Sequence, residues 1–150
     1  MAKNQTKNFE AKTVMNGSWG EWVLDGEKVA ETTGLKLEVQ MDFKDVPMCG
    51  TLAKQQKPSG WTGNGSVTMQ KINSRMAILL AKALKEGRTP EFVGISKLDD
   101  PDALGAERVV VKGVQFSNLI LADWSAGNNG EMTYPFTFTD YDFLDMVEPE

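Results

Sequence analysis

From Leu35 to Lys44 the chain alternates without a fault. Leu35, Leu37, Val39, Met41 and Phe43 hold the odd positions, and Lys36, Glu38, Gln40, Asp42 and Lys44 the even ones. Successive side chains of an extended strand point to opposite faces, so this run reads as a strand with one apolar and one polar side. At about ten residues it is longer than the usual five or six. A chain built around it needs a sheet with one face in a core and the other in water.

The remaining segments are mostly strands. Trp19–Leu24 and Lys28–Thr32 flank Asp25-Gly26, a strong hairpin signal. Trp61–Ile72 alternates again, with Gly63 and Gly65 marking a bend or a close backbone approach. Between the two alternating runs, 45–60 has no clean period and reads as a long polar loop. A single helix is expected from Arg75 to Glu86, capped by Ser74 and stopped by Gly87 and Thr89-Pro90. Met76, Leu79, Leu80, Ala83 and Leu84 form its apolar stripe. Strands follow at 91–98 and 107–116, with 118–124 pairing back on the latter. Gly127-Asn-Asn-Gly130 makes a turn, and 131–139 is the last strand, where Pro135 suggests an edge or a strand start. The expected fold class is α+β, mainly β: an antiparallel β-sandwich or open barrel with one packed α-helix.

With 150 residues the chain fits one domain, with a polar N-terminal arm at 1–16 and an acidic C-terminal tail at 140–150. That tail holds Asp140, Asp142, Asp145, Glu148 and Glu150 and no base, within a net charge of −5. An acidic balance argues against gripping nucleic acid, because phosphate contacts need Lys and Arg. The chain contains no histidine, which removes Ser-His-Asp and Cys-His catalysis and histidine-ligated zinc. The one cysteine, Cys49, has no intramolecular disulfide partner and reads as an inert thiol in a reducing compartment. Neither a signal peptide nor a membrane-spanning stretch is expected; Ala77–Ala81 is the densest apolar run, and Arg75 and Lys82 bracket it.

Candidate sites for chemistry fare poorly. Asp99-Asp-Pro-Asp102 looks calcium-like. Placing Asp100 and Asp102 at the first and third positions of an EF-hand loop, however, puts Leu104 and Val111 where ligands belong. Gly60-Trp-Thr-Gly63-Asn-Gly65 opens a strand rather than a helix and lacks the Gly-Lys of a phosphate loop. Asp140, Asp142 and Asp145 have nothing beside them to raise one carboxyl's pKa for glycosidase work. Trp19, Trp22, Trp61 and Trp124 allow an alternative reading, a carbohydrate-binding β-sandwich with a stacking platform. No cofactor is implied.

Several segments, in order, carry a family resemblance. Trp19-Gly-Glu-Trp22-Val-Leu-Asp-Gly26 through Glu31 resembles the opening hairpin of the tail tube proteins of contractile phages and phage-tail-like bacteriocins of Gram-positive hosts. Gly60 to Thr68 is similar to that family's glycine-spaced strand, Ser74 to Gly87 to its helix, and Asp99 to Val109 to its next loop and strand. Leu121-Ala-Asp-Trp124 and Pro135 to Asp145 resemble its C-terminal signature. The departures fall at 1–16 and 48–58. The resemblance implies the tail tube fold and no enzyme activity. It implies hexameric rings that stack helically into a hollow tube inside a contractile sheath. Tape-measure, baseplate or hub, and tail terminator proteins would be its partners. The tube would carry DNA without binding it specifically, or let ions leak across a target envelope. The subunit would be made in the bacterial host cytoplasm, would enter the particle's tail, and would not insert stably into a membrane as a monomer. Within that frame the expected channel-facing residues are Lys36, Glu38, Gln40, Asp42 and Lys44. The expected ring-stacking residues are Asp45, Pro47, Lys54, Lys57, Pro58 and Trp61.

Overall fold

The computed structural model describes residues 9–149. Its strands are β1 (Gly20–Leu24), β2 (Glu27–Lys28), β3 (Thr32–Val46), β4 (Gln55–Gln70), β5 (Phe92–Leu98), β6 (Glu107–Phe116), β7 (Glu131–Phe138) and β8 (Asp140–Asp145). One helix, α1 (Arg75–Lys85), lies between β4 and β5. All pairings are antiparallel. One sheet runs β2-β1-β5-β6-β8; the other runs from the end of β6 through β7 and β4 to β3.

The two sheets are joined by a bend. β7 and β8 form one nearly continuous stretch that pairs with β6 in the same register on both sides of Thr139: Gln115 lies opposite Thr137 and Lys112 opposite Asp140. Gly113, at φ +67°, turns the chain at the bend, packed on Thr139. Folding the pair over itself faces the two sheets and creates the core. Trp22 of one sheet stacks on Phe136 of the other, with ring centroids 5.8 Å apart. Val67, Val111, Val114 and Tyr134 are fully buried around them. Gly94 permits this packing, since a Cβ there would lie 2.1 Å from the Trp22 ring. Gly63 and Gly65 do the same for Phe138 and Phe136; a Cβ at Gly65 would lie 2.5 Å from the Phe136 ring and 2.9 Å from the Lys36 carbonyl. The glycine spacing therefore marks close approach of aromatic rings to backbone.

The opening hairpin forms as expected, with Asp25 (φ 50°) and Gly26 (φ 83°) both left-handed, as a type I′ turn requires. The helix ends one residue early, in a Schellman arrangement. The Arg88 N–H reaches the Ala83 carbonyl at 2.9 Å, the Gly87 N–H reaches Leu84, and Gly87 has φ +74°. Its start is a correction: the Ser74 side chain makes no cap, and Asn73 Oδ1 accepts the Arg75 N–H at 3.0 Å instead. Met76 and Leu80 enter the same core as Met69, Met132 and Tyr134, whereas Leu84 is half exposed. Arg75 ties the helix to the β2–β3 connection, with Nε 2.8 Å from Glu31 and a terminal guanidinium nitrogen 3.3 Å from Glu27. Burial of Glu31 acts to raise its pKa. The hydrogen bond and charge of Arg75, with Glu31's own backbone N–H, outweigh that and hold the carboxyl below its ordinary value.

Three other expectations are corrected. The 45–60 segment is not a loop: Asp45 and Val46 belong to β3, residues 55–60 belong to β4, and only 47–54 connect them. Both faces of this two-stranded extension carry polar residues, so no period marks it. Cross-strand bonds hold it instead, such as Gln56 Nε2 to Asp45 Oδ1 at 3.2 Å. The acidic segment is not a free tail, because 140–145 form β8, where Arg108 pairs with Asp145 and Lys112 approaches Asp142 at 3.9 Å. The 118–124 stretch is irregular: β6 already has β5 on one edge and β8 on the other, leaving no edge for it. Pro135 does not start β7 but does sit on an edge, because from Glu131 to Pro135 the strand has β4 as its one ladder partner. Its carbonyl accepts from Ser117, just past the end of the β6 ladder, so its missing N–H falls on the side where that ladder stops. Residues 1–8 of the expected arm lie outside the described residues. Asn16 is pinned, its N–H donating to buried Asp100 at 2.9 Å.

Candidate assembly surfaces

The polar face of β3 is set by its register with β4. Lys36 lies opposite Ser66, Glu38 opposite Asn64, Gln40 opposite Thr62, Asp42 opposite Gly60 and Lys44 opposite Lys57. β7 extends this face: Thr68 and Thr133 bond through their hydroxyls at 3.1 Å, and Thr137 lies opposite Asn64. The five expected channel residues thus share one exposed face, lined by hydroxyl and amide groups. Lys36 approaches Glu38 at 3.5 Å, and two cations balance two anions among the five. These five residues are solvent-exposed and together carry no net charge.

Beyond the Gly63–Phe138 pair, β3 and β4 leave the sandwich and continue as a two-stranded arm. Asp45, Pro47, Lys54, Lys57 and Pro58 gather toward its end. Trp61 does not join them. It lies opposite Met41 near the arm's base, edge-on to Tyr141 of β8, with ring centroids 5.5 Å apart. The connecting loop exposes Met48 and Leu52, the latter completely.

The inner face of β3 carries the missed element. Leu35, Leu37 and Val39 pack on the core, but the same face runs on through exposed Met41 and Phe43. Opposite it stand Val109 and Val111 of β6 with Tyr141 and Phe143 of β8. The sheets diverge here and enclose an apolar groove of about 410 Å³, in which Glu107 is the charged side chain; Glu38, between Leu37 and Val39, points to the opposite face beside Lys36. The alternation of Tyr141 and Phe143 with Asp140 and Asp142 was the signal for β8, masked by the local charge. Among the described residues, β3 pairs only with β4 and β8 only with β6, so each offers a free backbone edge.

The arrangement disfavours the sites weighed for chemistry. The Asp100 carboxylate is taken up by the backbone N–H groups of Asn16 and Asp102, both at 2.9 Å. The tryptophans form no common platform: Trp22 is 1% exposed in the core and Trp61 packs on Tyr141. No helix among the described residues is long and apolar enough to cross a membrane.

A family model described as phage tail tube protein matches residues 7–145. The chain is 30% identical over 136 residues to the phage-like element PBSX protein XkdM of Bacillus subtilis (strain 168), covering 89% of this chain and 92% of that protein. Its fold is similar to a chain of the anti-feeding prophage tube-terminating cap, with a TM-score of 0.72 at 11% identity over 93% of this chain and 97% of that one. It is also similar to a chain of the sheath–tube complex of an extracellular contractile injection system in its extended state. There the TM-score is 0.69 at 7% identity, over 91% of this chain and 95% of that one.

Proposed function

The chain belongs to the phage tail tube protein family, and on that premise we propose how its surfaces divide the work of a structural tube subunit. Subunits close into hexameric rings through their free strand edges, and rings stack helically through the β3–β4 arm. The polar face of β3, with Lys36, Glu38, Gln40, Asp42 and Lys44, lines the channel. Sheath, baseplate and terminator proteins meet the tube from outside and at its ends, in line with the kinds of assembly its fold relatives come from. A tape-measure protein fills the channel during assembly. The protein is made in the host cytoplasm, works in the particle's tail, and catalyses no reaction.

The observation that carries this reading is the two-sidedness of the long β3–β4 sheet. One face belongs to the core, and the other is an exposed, hydroxyl-rich wall on which the five β3 residues balance in charge. A basic wall would hold phosphates and slow passing DNA, and a neutral one lets it slide. Replacing Glu38 and Asp42 with Lys should therefore leave tubes intact by electron microscopy while DNA delivery by the particle falls. Undiminished delivery from particles carrying both substitutions would remove these residues from the channel.

A further inference from the structure

The groove between the sheets is too apolar and too open to be finished in the isolated chain. Leu35, Val39, Val109, Tyr141 and Phe143 line it, and Met41 and Phe43 extend it onto the arm. A continuous exposed apolar surface of this kind marks an interaction site. The same chain carries a matching projection. The tip of its arm exposes Met48 and Leu52 beside Lys54, and Lys44 and Lys57 face each other just below. Glu107 supplies the charge on the groove's side, so an apolar, basic tip meets an apolar groove that carries an acidic side chain. The two features lie on different parts of one chain. A contact between unlike surfaces of identical subunits does not close on itself as a dimer, and it propagates along a filament.

We infer that the groove is the receptor for the arm tip of a second copy, with Leu52 and Met48 entering between β3 and β8 and Lys54 reaching Glu107. This rests on the tube reading above and assigns the surface on which the stacking arm lands.

The native Cys49 sits on the exposed tip and serves as the reporter. Ser96, which lines the groove, is replaced by cysteine (Ser96→Cys), and assembled tubes are treated with a mild oxidant. The expected product is an intersubunit disulfide between Cys49 of one copy and the thiol introduced at position 96 of the next, identified by peptide mapping. It should be absent from the Cys49→Ser, Ser96→Cys double variant, and Ser125→Cys, which places the thiol in the irregular 117–130 segment, should give no crosslink between Cys49 and position 125. As a second measurement, Lys54→Glu and Glu107→Lys should each slow tube assembly at least about tenfold, and their combination should recover most of the loss. Ser96→Cys tubes that form without this crosslink overturn the inference while leaving the tube reading standing. So does a Phe9→Cys, Cys49→Ser, Ser96→Cys variant that crosslinks through position 9, which would put the N-terminal segment in the groove. Two single charge reversals that assemble at the native rate have the same force. A native chain that yields neither rings nor tubes brings down both.

Discussion

At the residue scale, the glycines and one ion pair carry the heaviest structural demands. Gly63 and Gly65 admit two phenylalanine rings against the β4 backbone, and neighbouring backbone oxygens leave a Cβ no room to relax: the Phe138 carbonyl oxygen would be 2.7 Å away at Gly63. Gly63→Ala should therefore cost about 1–3 kcal/mol as an overpacked core site. Gly60→Ala, three residues along the strand in open space, should stay within about 0.5 kcal/mol. Urea unfolding of the subunit separates the two. Glu31 gives a pH-dependent counterpart. Its folded pKa lies below the unfolded value, so its contribution is present above the ordinary glutamate range near about 4.3 and is lost as pH falls through the folded value. Glu31→Gln should cost about 1–3 kcal/mol at pH 7. The gap from the native chain should narrow by pH 3 in denaturant titrations, and an equal gap at both pH values would rule out the charged pair as the source.

At the element scale, what was legible in the sequence and what was not divide along a physical line. β3, the Asp25-Gly26 hairpin, the helix and β6 were readable because each shows one face to the core and so carries a period. The β3–β4 arm has no core beneath it. Its strands are held by backbone pairing, and its polar residues on both sides erased the alternation that would have shown residues 55–60 as strand. β8 hid behind its carboxylates, whose partners Arg108 and Lys112 lie far off in the chain, on β6, and gave no local sign. Of the candidate site, the polar wall could be read in advance. The groove could not, because it arises only when the bend at Gly113 and Thr139 brings β8 opposite β3. The arm's register makes its own prediction. Val46 and Gln55 already pair, so replacing 47–54 with Asn-Gly should close the arm with a two-residue type I′ turn. The subunit's Tm should hardly move, while assembly stops at rings. Full tubes from this variant, by negative-stain microscopy, would separate the loop from stacking.

At the scale of the whole molecule, the open question is how a 15-residue edge strand escapes indiscriminate pairing. Long, flat edges are normally blunted by proline, bulges or short length, because unpaired N–H and C=O groups recruit other chains. Here β3 contains no proline, and its only irregularities are at Thr32–Gly34 and Asp42–Phe43, leaving an even run between them. An edge left open in this way is suited to one planned partner, and closure of a ring removes it as barrel closure does. Strand geometry makes this testable, because successive N–H groups point to opposite sides of a strand. Of Gln40 and Met41, one donates toward β4 and the other toward the free edge. Proline at the inward position should break the β3–β4 ladder and lower the subunit's Tm. Proline at the outward position removes no bond within the subunit, so it should fold normally yet remain monomeric by light scattering at concentrations where the native chain forms rings. A stable proline variant at the outward position that still assembles would show that rings close without this edge. The joint would then have to be sought at β8, the other long strand left with one partner.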